Sequence, residues 1–178
     1  MPAYAGEAAI QEVEALYADS LAAAARHVYI ETQYLTSRRI ADCLAARLQE
    51  PDGPEIVVIL HPNSDGWLEQ HTMDVLRGRV LTRLRSLDRY GRLRLYYPRI
   101  PHLDGQCISM HSKVCIIDDE LVRVGSANLS NRSMGFDTEC DLVVEAAGAA
   151  DIARGIAAFR ARLLAEHLGV DPSVVESE

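Results

Sequence analysis

The chain has 178 residues, of which 48% are hydrophobic, and a formal net charge of −8. This length and apolar content predict a single domain over residues 1–178 with a substantial core. The acidic balance argues against a nucleic-acid partner, because such binding needs clustered positive charge. The sequence has no apolar run of about eighteen residues and no secretory signal, so we expect a cytoplasmic or peripheral membrane location, with peripheral membrane contact allowed.

Hydrophobic spacing predicts alternating helices and strands. Apolar residues three and four positions apart are typical of helices, and short β-branched runs between Pro, Gly or Asp are typical of strands. The predicted helices are 6–25, 37–49 (capped by Thr36 or Ser37), 66–87 and 150–167. The predicted strands are 27–32, 55–60, 93–97 and 140–145, together with a hairpin between residues 111 and 128. The fold class is therefore α/β, a mixed β-sheet flanked by helices on both faces (an α/β/α sandwich).

The hairpin is predicted from two β-branched runs separated by Asp119 and Glu120. A symmetric loop of two or four residues gives a register in which paired residue numbers sum to 239. His111 then lies opposite Asn128 and Lys113 opposite Ser126, all four on one face because strand side chains alternate. A histidine, a cation, a hydroxyl and an amide, with no carboxylate among them, predict an anion pocket.

Lys113 is the single lysine in a chain with seventeen arginines. Its compact ammonium suits a small tetrahedral anion better than a planar guanidinium does, although one lysine must fall somewhere. In a phosphate pocket the His111 imidazole could attack phosphorus or exchange a proton with a leaving oxygen. Lys113, Asn128 and Ser126 could stabilise charge on the phosphate oxygens.

The four cysteines, Cys43, Cys107, Cys115 and Cys140, show no CxxC spacing. We therefore expect buried, reduced thiols, with no metal site and no cofactor.

The pattern His111-x-Lys113-x4-Asp118, followed by Gly125-Ser126-x-Asn128, resembles the HKD signature of the phospholipase D superfamily. The similarity covers about residues 4–165 and includes the stretches 29–34 and 129–142. It is strongest to the C-terminal HKD half of bacterial phospholipase D-like enzymes. The sequence has Thr32 and Ser130 where that family often has Asn, and neither change removes a catalytic group.

The resemblance implies a role for each matching residue. His111, Lys113, Asp118 and Glu139 form the catalytic set, with His111 as general acid and base or as the nucleophile. Lys113, Ser126 and Asn128 bind the substrate phosphate, and Glu139 orients the histidine. For Asp118, a position at the end of a strand beside a polar break favours capping of the turn over direct chemistry.

The implied function is that of a phosphodiesterase of the phospholipase D type, which hydrolyses or transfers phosphatidyl groups through a phosphohistidine. Its substrate is a phospholipid or another phosphodiester. Because the chain has one lysine, it can supply only one of the two HKD motifs that the family's chemistry needs. An upstream segment of a longer protein supplies the second half in the favoured interpretation, and a second copy supplies it in a homodimer. A single-HKD endonuclease-like homodimer and a cardiolipin synthase-like phosphatidyltransferase remain as alternatives.

Overall fold

The computed structural model describes residues 2–3, 6, 8–61, 70–100 and 107–176. Six strands form one mixed sheet in the order β3-β2-β1-β4-β5-β6. β1, β2 and β3 run parallel to one another, and β4, β5 and β6 each run antiparallel to the preceding neighbour in that order. The strands are β1 (His27–Thr32), β2 (Glu55–Leu60), β3 (Leu93–Tyr96), β4 (Val114–Ile117), β5 (Leu121–Gly125) and β6 (Asp141–Glu145).

Helices pack against both faces of the sheet because its strand residues are apolar in both directions. Val28 and Ile30 of β1 belong to the core that includes the helices of the chain's first half, whereas Tyr29 belongs to a second core with Ile156 on the opposite face. The predicted fold class is confirmed. The helices are α1 (Glu12–Ala23), α2 (Arg38–Gln49), α3 (Val75–Leu87), α4 (Asn131–Gly135), α5 (Ala150–Leu168) and α6 (Pro172–Glu176), and a π-helical turn, Gln70–Asp74, leads into α3.

One predicted helix begins later than the sequence pattern indicated. The first was expected from residue 6, but α1 begins at Glu12, and residues 8–11 are exposed, so no packing stabilises a longer helix there. Residues 66–69 of the third predicted helix lie outside the described residues. The short helices α4 and α6 were not predicted, because five residues carry too little periodicity to be recognised.

The predicted register of the hairpin is wrong by one residue. Cys115 pairs with Arg123, so paired numbers sum to 238 rather than 239. Lys113 therefore lies opposite Gly125, whose N–H donates to its carbonyl, and the predicted pairings of Lys113 with Ser126 and of His111 with Asn128 are wrong. The loop has three residues, 118–120, and the Glu120 N–H donates to the carbonyl of Ile117 at 2.9 Å. Asp118 and Asp119 both have positive φ, 52° and 62°, a conformation that Asp tolerates better than most residues. Two adjacent left-handed aspartates make the odd-numbered loop that spacing alone did not reveal.

One edge of the sheet collects the polar residues of interest. Glu31 near the end of β1 pairs with Val114 at the start of β4, so the segment that contains His111 and Lys113 enters the sheet there. The loop after β5 lies at the same edge, because Leu35 forms a β-bridge with Leu129. The C-terminal ends of the parallel strands, the segment before β4 and the loop after β5 therefore meet at this edge of the sheet.

Candidate active site

Lys113 is buried at the start of β4, with 6% of its surface exposed. Its Nζ donates a hydrogen bond to the backbone carbonyl of His111 at 2.7 Å. Burial lowers the pKa of Lys113, and the nearby negative charge of Glu139 opposes that shift. The ammonium is thus held in place by the His111 carbonyl, and the charge of Glu139 favours its protonated form.

Ser126 and Glu139 are joined directly. The Ser126 hydroxyl donates to Glu139 Oε2 at 2.5 Å and accepts the backbone N–H of Cys140 at 2.9 Å. The hydroxyl proton and one lone pair are therefore both engaged. The hydrogen bond of Glu139 in this structure goes to Ser126 and not to His111, so its role in orienting the histidine stays a prediction.

Asn128 lies in the loop that follows β5. Its backbone N–H donates to Ser133 Oγ at 3.2 Å, while its side-chain Oδ1 is buried with no hydrogen-bond partner among the described residues. Ser130 caps α4 by accepting the N–H of Ser133 at 3.2 Å. This turn of helix fixes the backbone on which Asn128 stands.

The His111 imidazole is exposed and makes no hydrogen bond or ion pair with any described residue. It lies two residues before buried Lys113, at the sheet edge that also receives Ser126 and Glu139. An accessible imidazole beside a buried ammonium leaves the ring nitrogens available to a substrate or to a second protein unit.

Asp118 lies at the other end of β4. Its carboxylate accepts the backbone N–H groups of Ala25, Arg26 and His27, the latter two at 2.7 Å. Five positions separate it from Lys113, about 17 Å of extended strand. This geometry connects the hairpin turn to the start of β1 and does not bring Asp118 to the other predicted site residues.

A buried network that the sequence interpretation missed supports the loop of Ser126 and Asn128. Arg123 pairs with Asp141 at 2.6 Å, and their side chains are 1% and 4% exposed. The guanidinium also stacks on Tyr17, 4.1 Å from the ring centroid, and Asp141 Oδ1 accepts the N–H of Ala127 at 3.4 Å. Burial raises the pKa of Tyr17, so its phenol stays neutral. An arginine alternating with valines resembles a solvent-exposed strand position, and no local signal reveals its burial.

Gly125 is required by the same network. A Cβ at this position would lie 1.6 Å from Asp141 Oδ1. The glycine therefore allows the carboxylate to approach the backbone beside Ser126.

The four cysteines are all free, in agreement with the expectation of reduced thiols. Cys115 is buried, and burial raises its pKa to about 12. Cys140, however, is exposed next to Glu139, so the expectation that every thiol is buried is wrong. Cys140 lies at the end of a loop, just before β6, and the sequence pattern there does not show whether the side chain is buried.

The described residues thus form a three-layer α/β/α unit in which a cation, a hydroxyl and a carboxylate lie at one sheet edge. The family model for "Cardiolipin synthase, PLD-like domain" matches residues 17–160. The chain belongs to this phospholipase D-like family, whose members are phosphodiesterases and phosphotransferases. No curated protein gives a significant sequence match.

Solved structures agree on the fold. The phospholipase D family member Nuc from Salmonella typhimurium is 14% identical, with a TM-score of 0.55 over 79% of this chain and 84% of its own. NucT from Helicobacter pylori is 19% identical, with a TM-score of 0.52 over 82% and 88%. Phosphatidylserine synthase from Haemophilus influenzae is 16% identical, with a TM-score of 0.65 over 88% of this chain but 36% of its own. At these identities the likeness establishes the fold alone.

None of the helices in the described ranges is long and apolar enough to span a bilayer.

Proposed function

We propose that this chain is one HKD half of a phosphodiesterase of the phospholipase D type. The observation that carries the proposal is the cluster at the sheet edge, where buried Lys113 lies in the field of Glu139 while Glu139 holds Ser126. Lys113 and Asn128 bind the phosphate, with Ser126 beside them. Preorganised donors of this kind stabilise charge that develops on phosphoryl oxygens.

The chemistry requires two imidazoles. One attacks phosphorus and forms a P–N bond as the P–O bond to the alcohol breaks, and the other donates its proton to the departing alkoxide. Water, or a second alcohol, then attacks the phosphohistidine, which breaks the P–N bond and frees the first imidazole, and gives its proton to the second imidazole. His111 is one of this pair. No metal takes part in the proposed steps.

An uncovered apolar sheet surface supports docking of the second HKD unit beside the site. Val124 and Leu142, paired across β5 and β6, are 44% and 70% exposed, and Val144 is 41% exposed. The last pair of this ladder, Gly125 and Asp141, adjoins Ser126 and Cys140. A second unit on this surface covers apolar area beside the end of β5 and β6 that leads to Ser126 and Cys140.

Phosphatidyl transfer or hydrolysis is favoured over nucleic-acid cleavage. The net charge of −8 opposes association with a polyanion, whereas a zwitterionic phospholipid imposes no such repulsion. An endonuclease-like homodimer is the second candidate, because this chain covers most of the length of Nuc and NucT.

One assay distinguishes the phospholipase D-type function from the endonuclease-like function. The full-length native protein that contains this chain is incubated with phosphatidylcholine vesicles or with DNA, each with a His111→Ala control. We expect release of choline that requires His111, and no cleavage of DNA. DNA cleavage that requires His111, without choline release, favours the endonuclease candidate and contradicts the proposal.

A further inference from the structure

A second cavity lies at the same sheet edge, on the face that α5 covers. It has a volume of about 240 Å³, and its polar lining comes from Glu31, Arg99, Ser112, Glu166 and His167. Ser112 stands between His111 and Lys113 in sequence, and neighbouring strand side chains point to opposite faces. The cavity is therefore separate from the phosphate site and lies on the other side of the segment that contains His111.

Glu31 is the buried acid of this cavity, with 5% of its surface exposed. The Tyr29 hydroxyl donates to Glu31 Oε1 at 2.5 Å, and His167 Nε2 lies 3.1 Å from the same oxygen. Oε2 has no hydrogen-bond partner among the described residues. A carboxylate that lines a cavity and is largely shielded from water attracts a cation more strongly than an exposed one does, so a ligand with a positive charge gains from binding against Glu31.

The surroundings determine which ligand fits. Two carboxylates, Glu31 and Glu166, line the cavity against one guanidinium, Arg99. A second groove of about 240 Å³, shared through Pro98 and His167, adds the rings of Tyr96 and Tyr97 and apolar side chains of α5. Carboxylates beside aromatic and aliphatic walls are the surroundings that organic ammonium ions prefer.

We propose that this cavity binds a small organic ammonium compound of amino-alcohol size, with its cationic group against Glu31. The proposal is independent of the proposed phosphodiester chemistry, because it concerns residues that take no part in it.

Methionine methyl groups report binding directly. Met110 lines the cavity and is 7% exposed, whereas Met134 belongs to the core on the other face of the sheet. The protein, labelled with ¹³C at methionine methyl groups, is titrated at about pH 8 with choline and with its uncharged carbon isostere, 3,3-dimethylbutan-1-ol. We expect a saturable shift of the Met110 signal with choline, a shift at least about tenfold weaker in affinity with the isostere, and none at Met134.

Two variants test whether Glu31 is the carboxylate that binds choline. Glu31→Gln keeps the shape but removes the charge, and Glu55→Gln alters an exposed acid of β2 as the matched control. We expect choline affinity to fall at least about tenfold in the first and to stay unchanged in the second. The wild-type comparison of the two ligands decides the matter even if Glu31→Gln fails to fold. Equal shifts with both ligands, no shift of Met110, or full affinity in folded Glu31→Gln would overturn the proposal.

Discussion

Two buried cations, Lys113 and Arg123, have different consequences for the site. Lys113 is enclosed, with its ammonium already fixed by the His111 carbonyl. Arg123 is enclosed more completely and pairs with Asp141 beneath the loop of Ser126. The first positions a charge for a ligand, and the second positions the backbone around it.

We expect Lys113→Arg to weaken the binding of inorganic phosphate at least about tenfold although the charge is kept. The larger, planar guanidinium does not fit an enclosed site shaped for an ammonium. Affinity is measured by NMR titration, and Arg85→Lys, an exposed exchange on α3, should leave it unchanged. Unaltered phosphate affinity in Lys113→Arg would show that shape is unimportant at this position.

We expect Arg123→Met to lower the free energy of unfolding by about 3–5 kcal/mol, because Asp141 is left buried without its counter-charge. Urea denaturation followed by circular dichroism measures the change. Arg132 pairs with Asp137 at 2.8 Å but is 80% exposed, so Arg132→Met should not change the midpoint measurably. Similar losses in both variants would contradict the importance of burial.

At the scale of elements, strands and long helices could be predicted from periodicity, but the junctions between them could not. β1 and β2 have the predicted bounds because their residues are apolar on both faces. The hairpin register was wrong because the turn depends on the left-handed conformation of Asp118 and Asp119 and on distant amides of residues 25–27. The grouping of Lys113, Ser126 and Glu139 followed from the family resemblance, whereas burial of Arg123 depends on Tyr17, 106 residues away in the chain.

The hairpin turn should make stability depend on pH. Burial, together with the charge of Arg160, lowers the pKa of His27 below its ordinary 6.5, and the bond to Asp119 only partly offsets this. As the pH falls, the unfolded chain therefore takes up this proton at a higher pH than the folded chain does. The contribution of His27 to the free energy of unfolding is fully present above pH 6.5 and is lost as the pH decreases below that value. Burial opposes ionisation of Asp119, but Arg160 and His27 lower its pKa overall. The contribution of the ionised carboxylate to the free energy of unfolding is therefore lost only below pH 3.8.

We accordingly expect the Tm of the protein to fall between about pH 6.5 and pH 5, and His27→Gln to flatten that part of the profile. Differential scanning calorimetry across this range measures the effect. His111→Gln, at an exposed histidine, is the matched control and should keep the slope of the native protein. A slope that is the same with and without His27 would exclude this residue as its source.

At the scale of the whole molecule, the described residues form a three-layer sandwich, and in the proposed mechanism they supply one of two HKD half-sites. The second apolar core under α5 does not extend to the exposed side chains of Leu142 and Val144 on β6. We expect Leu142→Glu to abolish association with the second HKD unit, and with it phosphodiesterase activity, while Tm is unchanged. Val174→Glu, at a site 52% exposed on α6, should affect neither. Activity and Tm measured on the same samples of the full-length native protein test this, and full activity in Leu142→Glu would place the interface elsewhere.

The most direct test of the central claim is hydrolysis of bis(p-nitrophenyl) phosphate by the full-length native protein, with and without EDTA. The proposed mechanism predicts a rate that EDTA leaves unchanged and that His111→Ala lowers at least about a thousandfold, because the imidazole makes or breaks a bond in each step. A rate that EDTA abolishes, or that survives in His111→Ala, would contradict the assignment of this chain as an HKD half-site.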